Sequence, residues 1–356
     1  MTTPALAVHA QVTDRNLHLD LDIHRGDVLA VVGPNGAGKS SLLRLVTGQL
    51  HPTTGTVHID GTLVSGPGRH LPTHQRRIAL LDQRPLLFDH LDILDNVAFG
   101  LRATGTRRRA ARTIAHTHLD NVGCAELAHR RTWQISGGQA QRIALARALA
   151  TEPRLLLLDE PMAALDITVA ATTRSLLRDL LTSPERTAVL VTHDVIDALA
   201  LADRLAVIDG GRVVTEGKVA DLLTCPRTVF LADLVGVNLL RGVASGPDRI
   251  DVEGVPLTGV PADRSLHLGR DAWASIPPAA IGVHLADPGG SPRNHLPAVV
   301  TAVEPRGALA RVSAVLPGGE VLSADLTAAA VVELELRPGA AVQLVVKATQ
   351  VRLYER

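Results

Sequence analysis

The stretch that most constrains the fold of this chain is GPNGAGKS, residues 33–40. It matches the pattern G-x-x-x-x-G-K-[S/T]. It also lies between the apolar run DVLAVVG and the helical pattern SLLRLVTGQL, which is the context that the pattern requires. Gly36 and Gly38 let the backbone curl so that N–H groups converge on phosphate oxygens at the start of a helix. The stretch therefore predicts a triphosphate-binding loop between a strand and a helix.

The residue types in this loop suit a bound triphosphate. Lysine occurs in the chain only at Lys39, Lys218 and Lys347, so a lysine at this position by chance is improbable. Lys39 would reach the β- and γ-phosphates as a point charge, and Ser40 would offer an oxygen to Mg²⁺. The candidate phosphate contacts are Gly33, Pro34, Asn35, Gly36, Ala37, Gly38, Lys39, Ser40 and Ser41.

Three apolar runs predict strands of a buried parallel sheet. DVLAVVG, RLLLLDE and TAVLVTHD each end in glycine or polar residues, and helical patterns lie between them. Strands that alternate with helices indicate an α/β sheet whose ligand groups gather at the carboxyl ends of the strands. Two acidic residues stand at such an end. Asp159 is a candidate Mg²⁺ ligand, and Glu160 is the candidate group that polarises an attacking water.

A second glycine-containing motif, Ile135-Ser-Gly-Gly-Gln139, precedes a long amphipathic helix pattern. Its small residues leave the N-terminal amides of that helix open to an anion. With its other motifs the chain resembles the ABC-transporter ATPase family. ISGGQAQR is similar to the signature sequence, Gln83 to the loop that senses the γ-phosphate, Ala163-Ala-Leu-Asp166 to the D-loop, and His193 to the switch histidine. These motifs follow the family's order across residues 5–235.

The resemblance implies an α/β P-loop ATPase that binds ATP and Mg²⁺ and works as a homodimer. Each ATP would lie between one copy's P-loop and the other copy's signature. The pair would be peripheral on the cytoplasmic face of the membrane, bound to integral permease subunits and indirectly served by an extracytoplasmic solute-binding protein. The resemblance assigns catalysis to Lys39, Glu160 and His193, Mg²⁺ to Ser40, Gln83 and Asp159, the γ-phosphate sensor to Gln83, and the contacts across the dimer to Ser136, Gly137, Gly138, Gln139 and Asp166.

The adenine contact departs from the family pattern. The family usually stacks adenine on an aromatic ring shortly before the P-loop, but no Phe, Trp or Tyr precedes Phe88 in this chain. His9 and Arg15 are both candidates to replace that ring, and the sequence does not choose between them.

The character of the sequence changes near residue 236. Helical periodicity fades, and short β-type runs follow between glycine and proline breakers. We therefore predict an ATPase domain at 1–236 and a small all-β, OB-like domain at 237–356. The formal net charge of zero argues against nucleic acid as a partner, and two distant cysteines suit a reducing cytosol.

The last part of the chain resembles the Mop-type molybdate-binding domain. Ser291-Pro-Arg293-Asn294-His-Leu296 is similar to the S-x-R-N-x-L start of that domain, and Lys347-Ala-Thr349 is similar to its K-A-[S/T] ending. The likeness covers about 291–355 and extends the resemblance to the ATP-binding subunits of molybdate importers. A tetrahedral dianion needs several N–H or O–H donors, which here would be Ser291, Arg293, Asn294, Lys347, Ala348 and Thr349.

Two alternatives stay open from sequence alone. The same ATPase could drive the import of sulfate, thiosulfate or another solute. The β domain at 237–356, called the tail below, would then be purely structural. A protein of a different class, an intracellular oxyanion sensor or store, would make the tail its main function. The full set of ATPase motifs favours the importer, and tungstate is a plausible second cargo because it closely matches molybdate in size.

Overall fold

The chain divides into two compact units, Met1–Val219 and Ala220–Arg356. The computed structural model describes residues 3–163, 165–183, 186–262 and 264–355. Within these ranges, none of the helices combines the length and the apolar character needed to cross a bilayer.

The first unit contains one large mixed sheet. Among the described residues its strand order is β6-β5-β4-β1-β2-β11-β10-β3-β9-β8-β7. Strands β10, β3, β9, β8 and β7 pair in parallel, and the β1–β2, β1–β4 and β4–β5 pairs are antiparallel. The strands are β1 (Leu6–Val12), β2 (Leu17–Ile23), β3 (Val28–Val32), β4 (Thr54–Ile59), β5 (Thr62–Gly66), β6 (Arg69–His70), β7 (Ile78–Leu81), β8 (Leu155–Asp159), β9 (Thr187–Val191), β10 (Arg204–Asp209) and β11 (Arg212–Lys218).

The three apolar runs of the sequence form the centre of this sheet. Strands β3 and β9 are buried at every position, and β8 is buried up to Asp159 at its end. The prediction of neighbouring parallel strands is confirmed by the pairing of β3 with β9 and of β9 with β8. Their carboxyl ends meet at one edge of the sheet, which brings the P-loop, Asp159 and the residues after β9 to the same place.

Helices of this unit follow the predicted periodicities. The helix after the P-loop begins at Lys39, and the helix after the ISGGQ motif begins at Gly137. Asp92, Ser136, Asp166 and Asp194 cap four of these helices by accepting a hydrogen bond from a backbone N–H of the first turn. The helices are α1 (Lys39–Thr47), α2 (Ile93–Ala103), α3 (Arg108–Asn121), α4 (Gly137–Ala150), α5 (Ile167–Leu181) and α6 (Val195–Leu201). Helix α7 (Val219–Thr224) begins at the last residue of this unit and otherwise belongs to the second.

The second unit contains two sheets around one hydrophobic core. In the described residues the sheet orders are β14-β13-β12-β16-β22-β15 and β17-β21-β18-β19-β20. Side chains of both sheets, such as Leu240, Ala274, Leu296 and Val312, share that core. The elements are α8 (Val229–Val235), β12 (Asn238–Gly246), β13 (Arg249–Val252), β14 (Val255–Thr258), β15 (Val260–Pro261), β16 (Asp271–Ile276), β17 (Gly282–His284), β18 (Asn294–Arg306), β19 (Leu309–Val315), β20 (Val321–Thr327), α9 (Ala328–Glu333), β21 (Ala341–Val346) and β22 (Arg352–Glu355).

The predicted domain boundary near 236–240 differs from the division of the structure. The change to β structure does begin at β12, but the compact second unit begins earlier, at Ala220. The segment before β12 belongs with this unit because α8 packs against β12 and the Tyr354 hydroxyl donates to the Pro226 carbonyl at 2.5 Å.

Two halves of the second unit exchange strands. Strand β17 follows β16 in sequence but pairs with β21 of the other half, and β22 follows β21 but pairs with β16. A 3₁₀ turn precedes each exchanged strand, at Pro278–Ala280 and Ala348–Gln350. The second turn separates β21 from β22 within the run AVQLVVKATQVRLY.

Candidate functional site

The P-loop connects β3 to α1, and its lysine points back into the loop. The Lys39 side chain is 8% exposed, and its Nζ donates to the carbonyl oxygens of Gly33 at 2.7 Å and Pro34 at 2.9 Å. Burial lowers the pKa of Lys39, while Glu160 and Asp159 act to raise it. An ammonium already held at the loop is placed to exchange these carbonyls for phosphate oxygens.

Gly33 is required by close backbone approach. A Cβ atom at this position would lie 2.0 Å from the carbonyl oxygen of Ile208 at the end of β10. The P-loop therefore rests directly on β10, and no larger residue fits without displacing the backbone.

A cavity of about 540 Å³ opens above the P-loop. The segment Arg15–Leu17 and the turn Asp209–Gly211 also line it. The turn is fixed to the P-loop because the Gly211 N–H donates to the Ala37 carbonyl at 3.1 Å. No aromatic side chain lines the cavity in the described part of the chain.

The structure distinguishes the two candidates for the missing adenine platform. Arg15 lines the P-loop cavity, at the end of a 3₁₀ turn between β1 and β2. The His9 ring instead contacts the carboxylates of Asp20 and Asp22 on β2, and it does not line the cavity. Arg15 is therefore the better placed of the two.

Four side chains from three strand ends converge next to the P-loop. Gln83 Nε2 donates to Glu160 Oε2 at 3.3 Å, and His193 Nδ1 lies 3.4 Å from Glu160 Oε1. Burial raises the pKa of Asp159, and the neighbouring carboxylates of Asp82 and Glu160 raise it further. Gln83 and His193 thus both contact Glu160, whose carboxylate lies between them.

The donors present fit Mg²⁺. Among the described residues no group of three or more His, Cys, Asp or Glu side chains could hold a metal ion by itself. Mg²⁺ prefers oxygen ligands and is usually held by one or two protein groups together with phosphate oxygens and water. Ser40, Asp159 and Gln83 offer oxygens of this kind, and Asp159 stands at the end of β8.

The signature residues lie at the start of α4. Ser136 Oγ accepts from the Gln139 N–H at 3.3 Å, and Gln139 Oε1 accepts from the Ser136 N–H at 2.9 Å. This reciprocal cap fixes the end of the helix, with Gly137 and Gly138 as its first residues. None of these signature residues is among the described residues that line the P-loop cavity.

The predicted D-loop leads into α5. Asp166 Oδ1 accepts from the Val169 N–H at 2.9 Å, so its side chain caps that helix. The next residue, Ile167, is 91% exposed. Ala164 of this motif lies outside the described residues.

Two arginines that the sequence analysis did not single out support this site. Arg147 of α4 donates to the carbonyls of Leu86 at 2.9 Å and Pro85 at 3.0 Å, and so holds the loop that follows Gln83. Arg174 of α5 forms an ion pair with the buried Asp197 of α6. The sequence gives little indication of their roles, because an arginine on a helix is ordinarily exposed to solvent.

The two halves of the tail motif meet at one end of the β18–β21 ladder. Asn294 and Val346 are the final pair of this ladder, so Arg293, just before β18, and Lys347, just after β21, stand at the same end of it. Arg293 and Lys347 are both exposed, as are Ser291 and Thr349, while Ala348 is half-buried. An anion bound at this end of the ladder would be attracted by either cation that it approached.

Asn294 differs from the other candidate anion contacts. It is 1% exposed, and its Nδ2 donates to the carbonyls of Thr258 at 2.9 Å and Val346 at 3.2 Å. Its Oδ1 accepts from the Thr258 N–H at 2.7 Å. Asn294 was expected to donate to an anion through its side chain or its backbone. The side-chain route conflicts with this geometry, because both amide hydrogens are engaged with backbone carbonyls, and the backbone route stays a prediction. Asn294 instead anchors the strand end that carries Arg293.

The other half of the tail contains a counterpart of this anchor. Asn238 Nδ2 donates to the carbonyls of Ile276 and Ser323, and its Oδ1 accepts from the Ser323 N–H. Asn238 and Ile276 are again the final pair of a ladder, but the residues that follow are Val237 and Pro277. Only one of the two equivalent ends therefore carries a pair of cations.

Comparisons with known proteins agree with both parts of the chain. Residues 17–163 match the ABC transporter family, and residues 290–353 match the TOBE domain. The chain is 42% identical to the molybdenum import ATP-binding protein ModC of Mycobacterium tuberculosis, over 98% of this chain and 97% of that protein. It is 36% identical to the sulfate/thiosulfate import ATP-binding protein CysA of Burkholderia mallei, over 96% of this chain and 98% of that protein.

A solved structure supports the fold of the first unit. This structure is a dimeric ATP-binding cassette in a post-hydrolysis state, bound to ADP and Pi. Its TM-score is 0.52 at 32% sequence identity, covering 57% of this chain and 90% of the other.

Proposed function

This chain belongs to the family of ABC-transporter ATP-binding subunits, and from that premise we propose that the solute it helps to import is molybdate. The chain is an ABC importer ATPase with a TOBE domain. The observation that carries the choice of molybdate is the paired cations Arg293 and Lys347 beyond the β18–β21 ladder. Both lie in the part of the chain that resembles the Mop-type domain.

For the hydrolysis step, we propose that Glu160 orients and polarises the attacking water. Its carboxylate lies between Gln83 and His193, which restrict its orientation. Lys39 and the backbone amides of the P-loop would carry the charge of the β- and γ-phosphates. Ser40, Asp159 and Gln83 would hold Mg²⁺, which would neutralise charge on the phosphate oxygens. The protein's contribution is mostly fixed charge and orientation, as phosphoryl transfer requires.

A second copy of the chain would complete each ATP site. The helix start at Gly137 and Gly138 offers backbone amides that can bind an anion. Ile167 beside the D-loop is almost fully exposed, as expected of a side chain that another subunit covers. The solved relative, which is dimeric and bound to ADP and Pi, supports a dimer for this chain.

The remaining partners follow from the importer assignment. The loop after Gln83 carries Leu86, which is exposed, and this loop would contact the integral permease subunits. The dimer would therefore be peripheral, on the cytoplasmic face of the membrane, and an extracytoplasmic solute-binding protein would supply the permease. The formal net charge of zero supports no role for nucleic acid.

The tail would bind molybdate through charge and N–H or O–H donors. Arg293 and Lys347 supply the charge, while Ser291, Thr349 and the backbone at Ala348 supply neutral donors. No carboxylate stands within the Ser291–Asn294 or Lys347–Gln350 segments, so nothing there repels a dianion. Tungstate would bind in the same way because its size is nearly equal.

A second cargo is favoured by one of the relatives. The sulfate/thiosulfate import protein aligns with almost the whole chain, including the tail. In that case the tail would be structural, and Arg293 and Lys347 would be solvated surface residues.

Thermal unfolding of the full chain with molybdate, tungstate or sulfate separates these proposals. A ligand at about 100 times its dissociation constant stabilises the folded state by roughly 2.7 kcal/mol. We expect stabilisation by molybdate and tungstate, its loss in Lys347→Met, and its retention in the control Lys218→Met. Equal effects from sulfate, or no effect of any of the three anions, would contradict molybdate binding by the tail.

A further inference from the structure

A buried ion pair connects the two helices that flank the catalytic loop. Arg174 lies on α5, and its Nε donates to Asp197 Oδ1 on α6 at 2.7 Å, with its Nη2 2.5 Å from the same oxygen. Asp197 is 4% exposed. A carboxylate removed from water in this way requires charge-assisted partners, and Arg174 is its cationic one.

The second oxygen of Asp197 extends this contact to the segment that carries His193. Thr192 Oγ1 donates to Asp197 Oδ2 at 3.3 Å and accepts from the Asp194 N–H at 3.1 Å. The Thr192 N–H also donates to the Val31 carbonyl at the end of β3, at 3.2 Å. Thr192 and Asp194 are thus both fixed, and His193 lies between them.

The other end of the contact leads to the D-loop. Arg174 is eight positions after Asp166, which caps the first turn of the same helix. A continuous helix transmits displacement of its first turn to residues two turns further along, because its hydrogen-bonded backbone is stiff. A displacement of Asp166 would therefore also displace Arg174 and, through Asp197 and Thr192, His193.

We propose that the Arg174–Asp197 ion pair is a positioning device that sets His193 against Glu160 according to the position of α5. This inference rests on the proposed roles of Glu160 and His193 in hydrolysis, and it is independent of the cargo. His193 is exposed, and its link to Glu160 spans 3.4 Å. Its own side-chain contacts therefore hold it weakly, and the fixed backbone on either side of it defines its place.

The chain offers a matched control for a purely structural role. Arg112 of α3 contacts Asp95 of α2 at 2.7 Å, and Asp95 is also buried. Both pairs join neighbouring helices of the first unit through a buried aspartate. Removing Arg174 leaves Asp197 without its cationic partner, whereas Asp95 keeps Arg108 at 3.6 Å when Arg112 is lost. Both losses should lower stability, and the loss of Arg174 should lower it more.

The experiment compares Arg174→Met with Arg112→Met in the full chain. Thermal midpoint, ATP dissociation constant, kcat and KM are measured well below the unfolding temperature of each variant. We expect both variants to be destabilised, and only Arg174→Met to lose kcat, by about tenfold to a hundredfold, with ATP binding unchanged. Arg174→Lys should recover part of kcat because it restores the charge.

Hydrogen exchange detects a local loosening that a change in overall stability alone would not produce. In Arg174→Met, backbone amides of 192–196 should exchange faster, while those of α2 and α3 keep the wild-type rate. A wild-type kcat in a folded Arg174→Met, or an equal loss of kcat in Arg112→Met, would overturn the proposal. If Arg174→Met does not fold, the same measurements are made on Arg174→Lys and on the double variant Arg174→Met/Asp197→Met. A wild-type kcat in the folded double variant, or an equal loss of kcat in Arg112→Met, would again overturn the proposal. Unaltered turnover in Glu160→Gln would instead contradict the underlying role of Glu160.

Discussion

Glu160 combines an unusual backbone conformation with a central place in the site. Its φ of 45° lies in the left-handed region, which is costly for a residue other than glycine. Its N–H donates to the Val191 carbonyl at 2.9 Å, so the end of β8 remains tied to β9 as the chain turns. The turn directs the carboxylate toward Gln83 and His193. Local strain at this residue thus accompanies a defined orientation of the candidate general base.

Glu160→Gln should keep ATP binding and lose hydrolysis. The amide has nearly the same shape but cannot accept a proton, and positioned general bases typically contribute about 10² to 10⁴-fold. Steady-state turnover and equilibrium ATP binding measure the two effects separately. Glu152→Gln is the control, because Glu152 shares the positive φ, at 47°, but precedes β8, whereas Glu160 follows its carboxyl end. Near-normal turnover in Glu160→Gln would remove Glu160 from this role.

Arg15→Ala should weaken ATP binding more than His9→Ala does. A guanidinium over an aromatic base contributes about 0.5–2 kcal/mol, and Arg15 lines the cavity above the P-loop whereas His9 is engaged with Asp20 and Asp22. Titration calorimetry with ATP and with inorganic tripolyphosphate distinguishes a base contact from a phosphate contact. A loss for ATP alone is expected. An equal loss for tripolyphosphate would place Arg15 against the phosphates instead.

At the scale of elements, the sequence predicted those parts whose signal is local. Strands β3, β8 and β9 are continuous apolar runs, and the Asp60-Gly61 pair between β4 and β5 marks a two-residue hairpin turn. The exchanged strand β17 was not predictable, because three residues carry no measurable periodicity. The anchoring role of Asn294 was also hidden, since its partners Thr258 and Val346 are distant in sequence.

The end of helix α1 is locked by a buried arginine. Arg76 is almost fully buried, and its guanidinium donates to the carbonyls of Leu45, Val46 and Leu71. Gly48, the C-cap of α1, has a φ of 82°, and a Cβ there would lie 2.5 Å from Arg76 Cζ. The glycine is needed both for its backbone conformation and for the space that Arg76 occupies.

Gly48→Ala should therefore destabilise the first unit more than Gly105→Ala does. Gly105 also has a positive φ, at 95°, but a Cβ added there would meet no described atom within 4 Å. The difference between the variants isolates the steric overlap, for which about 1–3 kcal/mol is expected. Chemical denaturation followed by far-UV circular dichroism measures it. Equal destabilisation of the two variants would mean that Arg76 moves aside without cost.

At the scale of the whole molecule, two inactive variants should restore each other's activity. Lys39→Ala disables a P-loop, and Ser136→Asp keeps the cap of α4 but places a negative charge where the other copy's triphosphate would bind. A mixed dimer retains one complete site, so random pairing should recover about a quarter of the wild-type ATPase rate. Each variant alone is the control. Absence of any recovery after subunit exchange would argue that the sites are completed within one chain.

The strand exchange in the second unit bears on how the protein is made. Residues 352–355 form β22, an inner strand between β16 and β15, although β16 is synthesised about eighty residues earlier. On the ribosome, the earlier half of this unit must wait with an open sheet until that late strand emerges from the exit tunnel. Nascent chains stalled before Arg352 should consequently be protease-sensitive within the second unit, while the preceding nucleotide-binding unit is already resistant.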